Sequence, residues 1–282
     1  MQNAETLLDL LSDEGKRWEQ NVRTMRSDQV YFKGNVFLAA ASLSYTGPFT
    51  GPYRERLVRN WQNECRSRNF LIDPKYSLVQ TLGNQIEMRD WQMNDLPSDT
   101  VSLDNAILAQ KCSRWPLMID PQTQANKWLR KMLRNRTSSI FETQGHSNFQ
   151  GDDYIVINAT TPEDDGKDEG EMPKKRNSAQ KKFEFAIQNG QTVLYEEVGE
   201  TLDPGLDSIL TKAVYEQDGV KKINFGSKGD GLIYDPNFRL LITTKLPNPH
   251  FLPETCIKLT IINFTVTFPG LEEQLLVDVM KS

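Results

Sequence analysis

From Trp115 onward the sequence is a succession of short apolar runs, each the length of one strand, separated by segments the length of a helix. The runs are Trp115 to Ile119, Tyr154 to Ala159, Thr192 to Tyr195, Phe238 to Thr243 and Leu259 to Val266. A strand that is apolar throughout, rather than alternating, is covered on both faces, and parallel strands need long crossover connections. This part of the chain therefore predicts an α/β domain with a parallel sheet. Helices are expected near Ala125 to Asn135, Ser178 to Gln188 and Leu206 to Val214. An inserted hairpin is expected from Lys221 to Phe225 and Leu232 to Tyr234, around a glycine-rich turn at Gly226 to Gly231.

Upstream the periodicity is helical. Leu7, Leu11, Trp18, Val22 and Met25 form a near-heptad stripe between Asn3 and Ser27, which fits the end of a coiled coil and an ordinary amphipathic core helix equally well. Asn35 to Tyr45 is rich in Ala and apolar residues and predicts a helix buried on every side. Gly47 and Pro48 break it. Thr50 can cap the next helix, Tyr53 to Arg66, which carries Leu57, Trp61 and Cys65 four residues apart. After the Leu96-Pro97 turn, Asp99 or Ser102 can cap a further helix ending near Gln110.

Composition removes several classes of function. The 33 basic and 38 acidic residues, net −5, are spread along the chain and leave no broad basic face for nucleic acid. No run approaches the roughly 18 apolar residues of a membrane span. Cys65, Cys112 and Cys256 lie far apart, which predicts half-buried reduced thiols rather than a disulfide frame or a zinc site. With His146 and His250 the only histidines, and no carboxylate or cysteine at ligand spacing, no metal site is expected. Ser42 and Ser44 sit in a buried-looking helix and not in a nucleophile elbow. Residues 160–176 run from acidic to basic with one large apolar residue, Met172, and read as a solvated insertion loop.

The place to look for nucleotide chemistry is the loop after the first strand, where an α/β sheet offers backbone amides and a helix dipole to phosphate. It reads PLMIDPQTQANKWL. Against the form GxxxxGK[ST], Asp120 stands at the first glycine, Ala125 at the second, Asn126 at the lysine and Lys127 at the hydroxyl. Asp120 brings a carboxylate toward the phosphate position and Pro121 removes an amide donor, with Gln122 the next residue of this degenerate loop. Losing a few charge-assisted hydrogen bonds, at roughly 1.5 to 3 kcal/mol each, costs several powers of ten in affinity. The strings Gly15-Lys16 and Gly166-Lys167 lack the rest of the motif. Glu196 and Glu197 end the third strand, where a Walker B pair would hold magnesium. Without the lysine and hydroxyl they are more simply helix caps or ion-pair partners. Asn248, after the fourth strand, stands where a sensor would meet a γ-phosphate, and reads as a turn residue; His250 reads as a packed imidazole. No catalytic residue is expected.

The string RWPLMIDPQTQANKWL resembles the fifth AAA+ module of dynein heavy chains. The resemblance continues through SYTGPFTGPYR, DLPSDTVSLDNAIL, AIQNGQTVLYEEVGETLDP, ITTKLPNPHFLPE and NFTVTFPGLEEQLL, in the family's order. It covers nearly the whole chain, and ITTKLPNPHFLPE and RWPLMIDPQ are closer to the axonemal dyneins of cilia and flagella than to the cytoplasmic form. EGKRW at Glu14 to Trp18 is similar to the point where the stalk coiled coil returns to the ring. The resemblance implies an AAA+, P-loop-NTPase-like parallel sheet at 113–282, a helical region at 34–112 leading into it and a coiled-coil end at 1–33. It implies a force-relaying module of a minus-end-directed microtubule motor, with ATP and magnesium bound in other modules. The implied partners are neighbouring modules, the stalk, other dynein chains and, indirectly, microtubules, with no nucleic acid or membrane, in the axonemal cytoskeleton. The insertion at 160–176 and Glu197, where relatives often have Asn, depart from the pattern. The chain starts within the stalk-like helix and stops soon after the fifth strand, so it is expected to be no motor alone. A degenerate nucleotide-binding NTPase using Glu196, Glu197 and Lys127, and a stand-alone interaction module using the 160–176 loop, are the alternatives.

Overall fold

The computed structural model describes residues 2–144, 154–159, 175–226 and 231–281. Five helices come first: α1 (Gln2–Tyr45), α2 (Gly51–Ser67), α3 (Leu78–Leu82), α4 (Gln85–Met93) and α5 (Thr100–Lys111). The α/β part follows as β1 (Trp115–Ile119), α6 (Gln124–Gln144), β2 (Tyr154–Asn158), α7 (Lys175–Asn189) and β3 (Thr192–Glu196). A 3-10 turn (Pro204–Leu206) leads to α8 (Asp207–Leu210), then β4 (Val214–Gln217), β5 (Val220–Ile223) and β6 (Leu232–Ile233). The chain closes with β7 (Arg239–Thr244), α9 (Pro253–Lys258), β8 (Leu259–Asn263) and α10 (Phe268–Lys281).

β1, β2, β3, β7 and β8 form one parallel sheet in the order β2-β3-β7-β1-β8. Successive side chains of a strand point to opposite faces, so an all-apolar strand feeds two cores. Leu117, Val193, Leu240 and Ile242 enter one core with Phe183 and Ile187 of α7 and Ile209 and Leu210 of α8. Met118, Leu194, Leu241 and Ile262 enter the other with Ala106 to Ala109 of α5 and Trp128 and Leu129 of α6. Trp128 stacks on Phe264 with centroids 5.9 Å apart and meets Trp91 edge-on at 6.3 Å. The sheet is thus the middle of three layers.

Several expectations need correction. The helices expected at Asn3 to Ser27 and Asn35 to Tyr45 are one uninterrupted helix, α1, because nothing between them breaks it: Gly34 is accommodated by close packing, its hydrogen-for-methyl position only 2.1 Å from the Leu71 carbonyl. Residues 35–45 are not buried all round; Leu38 and Ala39 are buried, whereas Phe37 and Tyr45 are largely exposed. Thr50 stands at the N-cap of α2 without a side-chain bond, while Asp99 does cap α5, accepting from Ser102 N at 3.1 Å. The helix expected at Leu206 to Val214 ends at Leu210. Lys212 takes a left-handed φ of 51°, and Val214 starts β4, which pairs with β5 across the Asp218-Gly219 turn. β5 and β6 pair antiparallel, as the hairpin expected there requires. Helix α6 extends past Asn135 to Gln144, and α10 had no counterpart in the pattern reading. Residues 160–174 of the insertion, and His146, lie outside the described residues.

Candidate functional site: the loop between β1 and α6

β1 ends beside β7, and the chain turns at once: Asp120 N donates to the Thr244 carbonyl at 2.8 Å. Thr123 adopts a left-handed φ of 60° and its amide donates to the Asp120 carbonyl at 3.2 Å, which swings the chain into α6. The Asp120 side chain is folded back under the helix it precedes. Its Oδ1 accepts from Gln124 N at 2.8 Å and its Oδ2 from Asn126 N at 2.9 Å, and the carboxylate is 1% exposed. These are the orphan amides that a phosphate would otherwise use. Burial pushes the Asp120 carboxyl above its ordinary range, and the amides of Asn126, Gln124 and Ala125, with Lys127, pull against that shift. Asp120 thus opposes phosphate by its charge and also takes phosphate's donors.

The other loop residues take ordinary structural places. Pro121 is half-buried, and Gln122 is exposed with its Oε1 accepting from Val266 N at 3.4 Å. Ala125 is fully buried. Asn126 directs Nδ2 to Thr243 Oγ1 at 3.5 Å, and Lys127 is exposed on the first turn of α6.

The two acids at the end of β3 part company. Glu196, 2% exposed, receives Arg130 of α6 in a two-pronged pair, Nε to Oε1 at 2.7 Å and Nη2 to Oε2 at 2.5 Å. Glu196 raises the Arg130 guanidinium above its usual pKa, chiefly by that hydrogen bond. Glu197 sits at φ 56° and its carboxylate pairs with Lys245, just past β7. Asn248 is exposed in the turn after β7. His250 is exposed rather than packed, and its backbone N–H donates to Glu200 Oε1 at 3.2 Å. Structure therefore brings Asp120, Asn126, Glu196 and Glu197 to one end of the sheet and leaves Lys127 and Asn248 facing solvent. Arg130 was missed by sequence reasoning; its one signal is that α6 puts it a turn beyond Asn126, on the side facing β3.

A second polar cluster joins the helical part to the sheet edge. Arg54 of α2 is 5% exposed. Its Nη1 donates to Asn105 Oδ1 at 2.6 Å, its Nε to the Phe49 carbonyl at 2.8 Å, and its Nη2 to the carbonyls of Gly47 at 2.9 Å and Asn263 at 3.3 Å. Asn263 N returns a bond to the Gly47 carbonyl at 2.8 Å, so the turn after α1 is stitched to β8. Burial lowers Arg54 to about 10, against the pull of Asp104. Cys65, Cys112 and Cys256 are half-buried free thiols. No helix of the described residues is long and apolar enough to cross a membrane.

A five-stranded parallel sheet with this strand order, a tight loop and helix after β1 and an acid at the end of β3 defines an AAA+-type, P-loop-like α/β module whose loop has been rebuilt. Residues 89–282 match the family described as the ATP-binding dynein motor region. The chain is 41% identical over 271 residues to human dynein axonemal heavy chain 6, covering 96% of this chain and 6% of that protein. Human dynein axonemal heavy chain 1 is 38% identical over 271 residues, again 96% and 6%, and mouse dynein axonemal heavy chain 2 is 37% identical over 277 residues, 98% and 6%. The chain belongs to the dynein heavy-chain motor-region family, as a module of the motor ring, and spans about 6% of the length of the relatives it matches.

Proposed function

We propose that this module is a non-catalytic, force-relaying part of a dynein motor, binding no nucleotide itself. The observation that carries this reading is Asp120: its carboxylate already holds the amides of Gln124 and Asn126 at 2.8 and 2.9 Å. A triphosphate does not fit the residues present. It would have to displace a buried anion from those amides, overcome that anion's repulsion and find magnesium ligands while Glu196 is held by Arg130. The loop offers no lysine in the motif's position to replace what is lost.

The relay half of the proposal rests on α1 and its anchor. Trp18 and Met25 are 68% and 70% exposed on a helix of 44 residues, as expected for a helix that packs against a partner strand of a coiled coil. The turn that ends α1 is bonded to β8 through Gly47 and Arg54, two hydrogen bonds ending on Asn263 and the rest of the Arg54 cluster tying the turn together and to Asn105 of α5, so a displacement of α1 reaches the sheet without a slack linker. Within a complete heavy chain, hydrolysis would occur in other modules with ATP and magnesium there, neighbouring modules and the stalk would be the direct partners, and microtubules the indirect one. The axonemal relatives make cilia or flagella the expected setting.

The test uses a complete axonemal heavy chain. Arg54→Gln should leave basal ATP turnover intact and weaken its stimulation by microtubules, whereas Glu197→Gln should change neither. Stimulation that survives Arg54→Gln in a folded motor removes the relay, and a basal rate that falls with Glu197→Gln returns catalysis to this module.

A further inference from the structure

A cavity of about 290 Å³ opens at the end of the sheet opposite Asp120, where β1 and β7 begin. Arg114, Lys212 and Arg239 border it, and among the described residues no aspartate or glutamate does. Trp115 forms part of its wall and is fixed by donation from its Nε1 to the Ile209 carbonyl at 2.8 Å. Two of the three cations are accounted for. Arg114 Nη1 donates to the Ile257 carbonyl at 2.9 Å; Lys212 Nζ donates to the Ser113 carbonyl at 2.5 Å and lies 4.0 Å from the centre of the Trp115 ring.

Arg239 is different. It is half-buried, and among the described residues its guanidinium donates no hydrogen bond and meets no carboxylate. Burial lowers its pKa, the nearby Arg136 cation lowers it further, and only the Cys112 thiol acts the other way. Burial also lowers Lys212, with Cys112 opposing and Arg239 adding to the effect. A part-desolvated guanidinium with five donors and no acceptor is costly, and folded proteins ordinarily pair such groups. A cavity, two mutually repelling cations and the lack of a lining acid among the described residues all call for the same missing component.

We propose that this cavity is a binding site for an oxyanion, a phosphate or carboxylate group, held by Arg239 at its wall and Lys212 at its mouth. The planar guanidinium offers two parallel N–H donors to such a group, and Lys212 can exchange the Ser113 carbonyl for it without leaving the Trp115 face. The same chemistry serves a free small anion and an acidic side chain from an adjoining part of the motor. This site is separate from the loop at Asp120 and does not depend on the reading given to that loop.

The purified chain is titrated with inorganic phosphate and with glutarate, a mimic of an acidic side chain, at ionic strength held constant with chloride, following calorimetric heat and melting temperature. Saturable binding of either at about millimolar concentration or tighter is expected, weakened about tenfold or more by Arg239→Gln and by Lys212→Met and unchanged by the exposed Arg59→Gln. Preference for phosphate identifies a free or phosphorylated ligand, and preference for glutarate an acidic side chain. Without anion, Arg239→Gln should melt above the wild type, since the uncompensated charge is gone. Indifference of the wild type to both anions up to about 10 mM, or equal binding by Lys212→Met and the wild type, overturns the proposal.

Discussion

Replacing Asp120 by alanine isolates what the rebuilt loop does for the fold. The carboxylate accepts from Gln124 N and Asn126 N at 2.8 and 2.9 Å, in a position 1% exposed, so water cannot readily take over. Loss of an N-cap costs about 0.5 to 2 kcal/mol, and each buried amide left without an acceptor about 1 to 3 kcal/mol. Against this, the penalty for burying the charge disappears, a penalty visible in the raised carboxyl pKa. The net expectation for Asp120→Ala is a loss of about 2 to 4 kcal/mol, or roughly 5 to 10 °C in melting temperature for a domain of this size. Asp120→Asn keeps one acceptor and should fall between the two. Thermal melts followed by circular dichroism decide it, with amide exchange at Gln124 and Asn126 as the local readout. If Asp120→Ala melts with the wild type and those amides stay protected, the cap contributes nothing and the loop needs another explanation.

Three further outcomes follow from the same contacts. Arg130→Met strands the buried Glu196 and should cost about 2 to 3 kcal/mol after allowing for the half-exposed arginine, and Glu196→Gln in the same chain should recover much of it; strictly additive losses in a denaturant double-mutant cycle would deny the coupling. Asp104 is raised from 3.8 to about 6, first by burial and then by Asp99 and Glu55, with Arg54 opposing. A carboxyl whose folded pKa exceeds its unfolded one favours folding most below the unfolded value and loses that contribution as pH rises from 3.8 through about 6. Asp104→Asn should therefore exceed the wild type in stability near pH 7 by up to about 2 kcal/mol, the gap closing toward pH 4; a gap independent of pH would be the contrary result. Gly47→Ala places a methyl 2.2 Å from the Ile261 carbonyl and should cost about 1 to 3 kcal/mol, with loss of exchange protection at Asn263.

The main sheet was legible because an all-apolar strand carries its own signature: Leu117 and Met118, or Leu240 and Leu241, are adjacent in sequence and feed opposite cores. The missed β4–β5 hairpin was also written in the chain. Asp218-Gly219, with φ of 55° and 75°, is a strong short-range turn signal, and it was overlooked because the preceding Leu206 to Val214 carries a helical apolar spacing. The continuity of α1 was not legible because its apolar positions form two separate patterns, Asn3 to Ser27 and Asn35 to Tyr45; Gly34, which lies between them, serves close packing against Leu71. At the candidate site the altered loop residues could be read one by one, yet the bonds that matter join residues far apart. Arg130 reaches Glu196 and Arg54 reaches Asn263 only through the stacking of helices on the sheet, which residue spacing does not encode. Asp120 could be read as an anion in the wrong place; that it would cap its own helix follows from the left-handed turn at Thr123.

Equilibrium binding of magnesium ATP to the purified chain tests the central claim most directly. With Asp120 on the amides and Arg130 on Glu196, titration calorimetry should show no saturable heat up to about millimolar nucleotide, and Asp120→Ala should not create a tight site, since the motif lysine is still missing. Saturable binding at micromolar nucleotide, lost on substitution of Glu196 or Lys127, would contradict it.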